Sequence, residues 1–142
     1  MLYTNEYDVD TNSFIFDIDQ TLSNCKIVNE NNSNLDELEF QQDERSLIFL
    51  FSGWYPFDLQ MLQQILLLAK IYTSLKFVFI NYVDPSKVTK IKSKEIEMTF
   101  RTLPILFIRD KNKIEFVAKG DNIFLNKIVE ILEEWSGEKE TN

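Results

Sequence analysis

The sequence predicts an α/β fold, a mixed sheet flanked by helices, and three observations carry that expectation. The continuous apolar run Leu47–Phe51 and the largely apolar Phe77–Val83 have the character of strands covered on both faces. Between them Leu59, Leu62, Ile65, Leu66 and Ala69 recur at helical spacing, so the two strands are joined through a helix and expected parallel and right-handed. Further on, Asp110-Lys111-Asn112-Lys113 separates two more apolar segments by a hairpin-sized turn, which makes the last pair antiparallel.

Taken in order, residues 1–24 read as an acidic, Asn- and Asp-rich extension with one apolar island, Phe14-Ile15-Phe16. Cys25–Val28 suits a short strand. Asn31–Asn34 reads as a turn and helix cap, with a short helix over 35–43. Leu47–Phe51 is the first strong strand, broken by Ser52-Gly53-Trp54-Tyr55-Pro56; a helix follows from about Leu59 to Tyr72. Phe77–Val83 ends at Asp84-Pro85-Ser86. The stretch with Lys87, Lys90, Lys92 and Lys94 reads as a basic helical connection. Ile105–Ile108 and Ile114–Ala118 form the hairpin. Ile123–Trp135 closes the domain as an amphipathic helix, with Ile128, Ile131 and Leu132 inward and Glu130, Glu133 and Glu134 outward. The domain is therefore expected over 25–135, with 136–142 a fraying polar tail.

Composition removes whole classes of chemistry. The 142 residues hold no His and one Cys, so Ser-His-Asp, Cys-His and His-metal centres are excluded. An internal disulfide, a CxxC couple and a Cys-based zinc site go with them. Cys25 is expected as a small buried hydrophobe. No cofactor or metal is expected. The net charge of −8 is uneven: residues 1–45 carry eleven acids and two bases, and the remainder is nearly neutral. That balance leaves no basic face for phosphates, which argues against nucleic acid and is compatible with a basic protein partner. The lysine run 87–94 and Arg101 lack interleaved aromatics and read as a solvated helix face. The N-terminus is unlike a secretory or transit peptide, and no apolar stretch approaches the roughly 20 residues that span a bilayer. A soluble intracellular protein is expected, either cytoplasmic or inside an organelle.

The order of elements, with three local signatures, resembles the thioredoxin-like superfamily. The buried strand Leu47–Phe51 leads into Trp54-Tyr55-Pro56-Phe57-Asp58 and a long helix, as that family's strand leads into its Trp-Cys-x-x-Cys turn. Phe77–Asp84 is similar to its next strand and acidic loop. Thr102-Leu103-Pro104-Ile105 has the look of its cis-proline loop, and Lys113–Gly120 of the strand and glycine that follow. The resemblance covers about two thirds of the chain. It implies that the redox cysteines fall on Tyr55 and Asp58, and that the family's buried acid falls on Phe49. Losing both thiols and that acid implies a redox-inactive member, because thiol–disulfide exchange needs an attacking and a resolving thiol. What the resemblance leaves is a peptide-gripping surface: Trp54, Tyr55, Pro56, Phe57, Leu103 and Pro104 as partner-binding residues, with Leu103 offering backbone groups to a partner strand. The function expected is a non-catalytic protein-binding module, an accessory or scaffold subunit of a multi-subunit complex.

Two alternatives stand beside it. Phe14–Leu22, with Asp17-Ile18-Asp19, is similar to the first motif of haloacid-dehalogenase-type phosphatases, in which two carboxylates act around magnesium; Gln20 stands where that family has glycine. Ser52, Lys119 and Asp121 would then supply the later motifs. Separately, Trp54-Tyr55-Pro56 resembles the turn of the thioredoxin-like subunit of a spliceosomal small nuclear ribonucleoprotein, which implies a ribonucleoprotein-associated assembly factor. The Leu103-Pro104 pair is not expected in that family.

Overall fold

The computed structural model describes residues 22–30, 45–82, 90–92, 97–99, 103–110 and 113–141. Five strands make one sheet: β1 (Cys25–Glu30), β2 (Ser46–Phe51), β3 (Lys76–Tyr82), β6 (Ile105–Asp110) and β7 (Lys113–Lys119), in the spatial order β1-β3-β2-β6-β7. β3 runs parallel to both β1 and β2, whereas β2–β6 and β6–β7 are antiparallel. Helix α1 (Pro56–Ile71) joins β2 to β3, and α2 (Leu125–Thr141) follows β7. The molecule is mixed α/β, with one five-stranded mixed sheet and two helices, as the apolar runs and the hairpin turn predict.

β2 lies at the centre, and all six of its residues are buried. Its alternation sends Leu47, Phe49 and Phe51 to one face and Ile48 and Leu50 to the other. β3 does the same, with Phe77 and Phe79 joining the first cluster and Val78, Ile80 and Tyr82 the second. Both described helices pack on the first face, through Leu59, Leu62, Ile65 and Ala69 of α1 and Ile128, Leu132 and Trp135 of α2. Phe49 stacks on Phe51 at 5.7 Å and Phe77 on Phe79 at 6.3 Å between ring centroids, so this layer is aromatic-rich.

The C-terminal end of α1 is closed without a glycine. The Asn24 side-chain amide donates to the carbonyls of Ala69 (3.0 Å), Tyr72 (3.2 Å) and Leu75 (3.0 Å). Two N–H hydrogens thus serve three acceptors at the helix end and the following turn, of which the Tyr72 carbonyl also accepts the Leu75 N–H at 3.1 Å. The backbone of the same residue is tied too, since Phe77 N–H donates to the Asn24 carbonyl at 2.9 Å. Across the helices, Tyr72 Oη donates to Glu133 Oε2 at 2.8 Å. Arg45 donates from Nε to Asp110 at 3.1 Å, and its guanidinium lies 6.0 Å from the centre of the Trp135 ring.

The structure corrects the sequence at three places. Part of the basic connection is extended: β4 (Lys90–Lys92) and β5 (Glu97–Thr99) pair antiparallel as a separate two-stranded sheet. Lys90-Ile91-Lys92 and Glu97-Met98-Thr99 each set one apolar residue between polar ones, a period of two that suits these short strands. The closing helix continues to Thr141, through the segment expected to fray. Helix α1 starts at Pro56, three residues before Leu59, because proline suits the first helical position. The helix expected over 35–43, Lys87, Lys94, Arg101 and the Asp17/Asp19 motif lie outside the described residues.

Candidate binding surface at the end of the central strand

Register fixes which loops meet. Leu50 pairs with Ile105, so the turn that leaves β2 sits at the same end of the sheet as the Leu103-Pro104 segment that enters β6. Phe51 pairs with Asn81, which brings the end of β3 there as well. Ile105 pairs with Lys119, and the Gly120 N–H donates to the Pro104 carbonyl at 2.8 Å. Gly120 has φ +60°, a left-handed conformation that glycine adopts without a Cβ penalty.

The turn itself is held from below by two side chains. Asp58 Oδ2 accepts the Ser52 N–H at 3.0 Å, and Asn81 Oδ1 accepts the Gly53 N–H at 2.9 Å. The Trp54 N–H donates to Ser52 Oγ at 3.3 Å and the Tyr55 N–H to the Ser52 carbonyl at 3.1 Å. Four successive backbone donors are thereby satisfied within a few ångströms. Asp58 is only 1% exposed; burial, opposed by the Ser52 N–H, pushes its carboxyl up to about 7.

Above these anchors the apolar side chains turn outward. Trp54 is 49% exposed, Tyr55 43% and Phe57 45%, and Pro56 is exposed beside them. Three large aromatics on one turn exceed the scattered single apolar residues of an ordinary surface. Leu103 and Pro104 share this end of the sheet, and the bond between them is cis. Their side chains are buried, with Leu103 packed among Ile48, Leu50, Ile80 and Phe107. Of the six residues expected to contact a partner, four present their side chains and these two do not. Any contact through Leu103 is therefore confined to its backbone.

The two positions that the resemblance assigns to thiols hold Tyr55, on the surface, and Asp58, beneath it. Phe49 is wholly buried in the first core cluster. Cys25 pairs in register with Phe77, at the opposite end of the sheet from Asn81, and burial pushes its thiol up to about 12. That thiol is a core atom and not a nucleophile at neutral pH. Ser52 is fully buried, whereas Lys119 and Asp121 are exposed. Sequence reading gave no role to Asn81 or Asn24. A polar residue near the end of the run Phe77–Val83 was the available sign of the first; no local pattern announces the second.

Fold and surface together define a mixed α/β protein that displays an aromatic turn at the end of its central strand. No protein-family model matches the sequence, and no curated protein matches it. Among the described residues, no group of acids and Cys could hold a metal ion, and no helix is long and apolar enough to cross a membrane.

Proposed function

We propose that the chain is a non-catalytic protein-binding module of the thioredoxin-like class, acting as an accessory or scaffold subunit of a larger assembly. The observation that carries this reading is the outward placement of Trp54, Tyr55 and Phe57 on one hydrogen-bonded turn. Aromatics of this kind are the common anchors of protein interfaces, since they remove much apolar area from water for few rotatable bonds. The strand order β1-β3-β2-β6-β7, with its two parallel and two antiparallel pairings, supports the class. Tyr55 and Asp58 at the thiol positions support the absence of redox work, because neither side chain can attack a disulfide.

The reading is tested by affinity capture from the source cells with the intact chain and with Tyr55→Ala. A partner held by the parent and lost by the variant, at unchanged melting temperature, supports it. Equal retention by both overturns it, as does magnesium-dependent hydrolysis of a generic phosphate ester that Asp17→Asn abolishes.

A further inference from the structure

The aromatic turn rests on a group that can change charge. Of its two side-chain anchors, Asn81 does not titrate and Asp58 does. The Asp58 carboxyl is enclosed and has the Ser52 N–H as its hydrogen-bond partner among the described residues. That one donor favours the ionised form, but burial opposes it more strongly and favours the neutral acid. An ionised carboxylate offers about four acceptor sites, and leaving them dry inside protein is costly. Asp58 is buried in the first turn of α1, next in sequence to Trp54, Tyr55 and Phe57, whose side chains border water, and its bond to Ser52 ties it to the start of that turn.

We propose that Asp58 is a proton-operated latch on this turn: protonated, it holds Ser52–Phe57 closed over the core, and ionised, it opens the turn to water and disperses Trp54, Tyr55 and Phe57. The step is one deprotonation, in which the carboxylic acid gives its proton to solvent and the carboxylate takes water in place of its dry enclosure. As a control on partner capture the latch rests on the binding reading above; as a structural switch it stands without it.

The described titratable groups at this end of the sheet are few. They are Tyr55 on the turn, Tyr82 closing β3 towards the opposite face, Lys119 and Asp121 after β7, and Lys127 in the first turn of α2, which pairs with Glu130 at 4.0 Å. β2 contributes none. None of them adds a charge effect to Asp58, whose proton affinity follows its enclosure first and the opposing Ser52 N–H second. The latch therefore answers to solvent proton concentration and not to a neighbouring ion pair.

The test is a pH titration of the full chain by NMR from 5.5 to 8.5, following the Asp58 carboxyl carbon, the Ser52 amide and the two Trp indole N–H signals. The expected result is a common midpoint near 7 for Asp58, Ser52 and Trp54, with the signal of Trp135 in the core unmoved. The Trp54 transition is expected to vanish in Asp58→Asn. Should that variant fail to fold, the wild-type carboxyl signal decides alone. An Asp58 midpoint near 4 overturns the latch, and so does a titrating Asp58 that leaves Trp54 unmoved. A chain that shows the coupled transition but loses no partner on Tyr55→Ala refutes the binding reading and leaves the switch intact.

Discussion

The side-chain amide of Asn24 donates to the carbonyl of Ala69 at 3.0 Å, across 45 positions of sequence. It joins the segment that enters β1 to the end of the helix that precedes β3. Because Asn24 also serves Tyr72 and Leu75, it replaces the glycine cap with which helices commonly end.

Asn24→Ala should therefore destabilise the fold by roughly 2–3 kcal/mol, the cost of taking the amide donor from the buried bonds to the Ala69 and Leu75 carbonyls, while Tyr72 keeps the Leu75 N–H. Asn24→Asp should cost more, since it turns a carboxylate toward three carbonyl oxygens. Urea unfolding measures both. A loss below about 0.5 kcal/mol for the alanine variant would show that water replaces the amide without penalty.

Asp58 makes stability depend on pH in an unusual direction. Its carboxyl rises from an ordinary 3.8 to about 7 on folding, so between those values the folded chain keeps a proton that the unfolded chain has released. Its contribution is full below about pH 4, declines as pH rises, and is gone above about pH 7. Three units correspond to at most about 4 kcal/mol. Asp58→Asn removes this term, so its stability relative to wild type should improve steadily from pH 4 to 7 and then level off. Denaturant midpoints at five pH values check this; a constant difference would show that Asp58 is ionised in the native protein.

How much of this was visible in the sequence follows from the range of the interactions. β2 and β3 were legible because a strand covered on both faces must be apolar at every position, and Leu47–Phe51 and Phe77–Ile80 are. α1 was legible from its repeat, and the exposed turn from the packing of aromatics around Pro56. The Lys90–Thr99 region misled because lysine suits a helix surface and a short hairpin alike. Asn24 was illegible in principle, since its partners lie 45 to 51 positions away. Asp58 stands at a lost thiol position in the sequence reading, but its burial and its bond to the Ser52 N–H are set by tertiary packing that no local pattern shows.

The aromatic core layer predicts a large, pH-independent loss. Phe49 is wholly buried and stacked on Phe51, so Phe49→Ala should cost about 3–5 kcal/mol through lost burial and an unfilled cavity. Thermal unfolding at pH 5 and pH 8 should show the same decrement at both values, in contrast to Asp58→Asn. A decrement that changes with pH would mean the cavity admits water to a titrating group.

The two loops at the binding end should respond oppositely to substitution. Tyr55 and Trp54 stand on the surface, so replacing either with alanine should change stability by no more than about 0.5 kcal/mol. Leu103 is 7% exposed and packed in the second core cluster, so Leu103→Asp buries a charge without a partner. It should lower stability by several kcal/mol, and a failure of that variant to bind would report unfolding, not loss of a contact. Circular dichroism melts run alongside the capture experiment separate the two causes. The expected pattern is a native melt without capture for Tyr55→Ala, and a lowered or absent melt for Leu103→Asp. A Tyr55→Ala chain that melts early would place the ring in the core and remove it from the interface; a Leu103→Asp chain with a native melt would place its side chain at the surface.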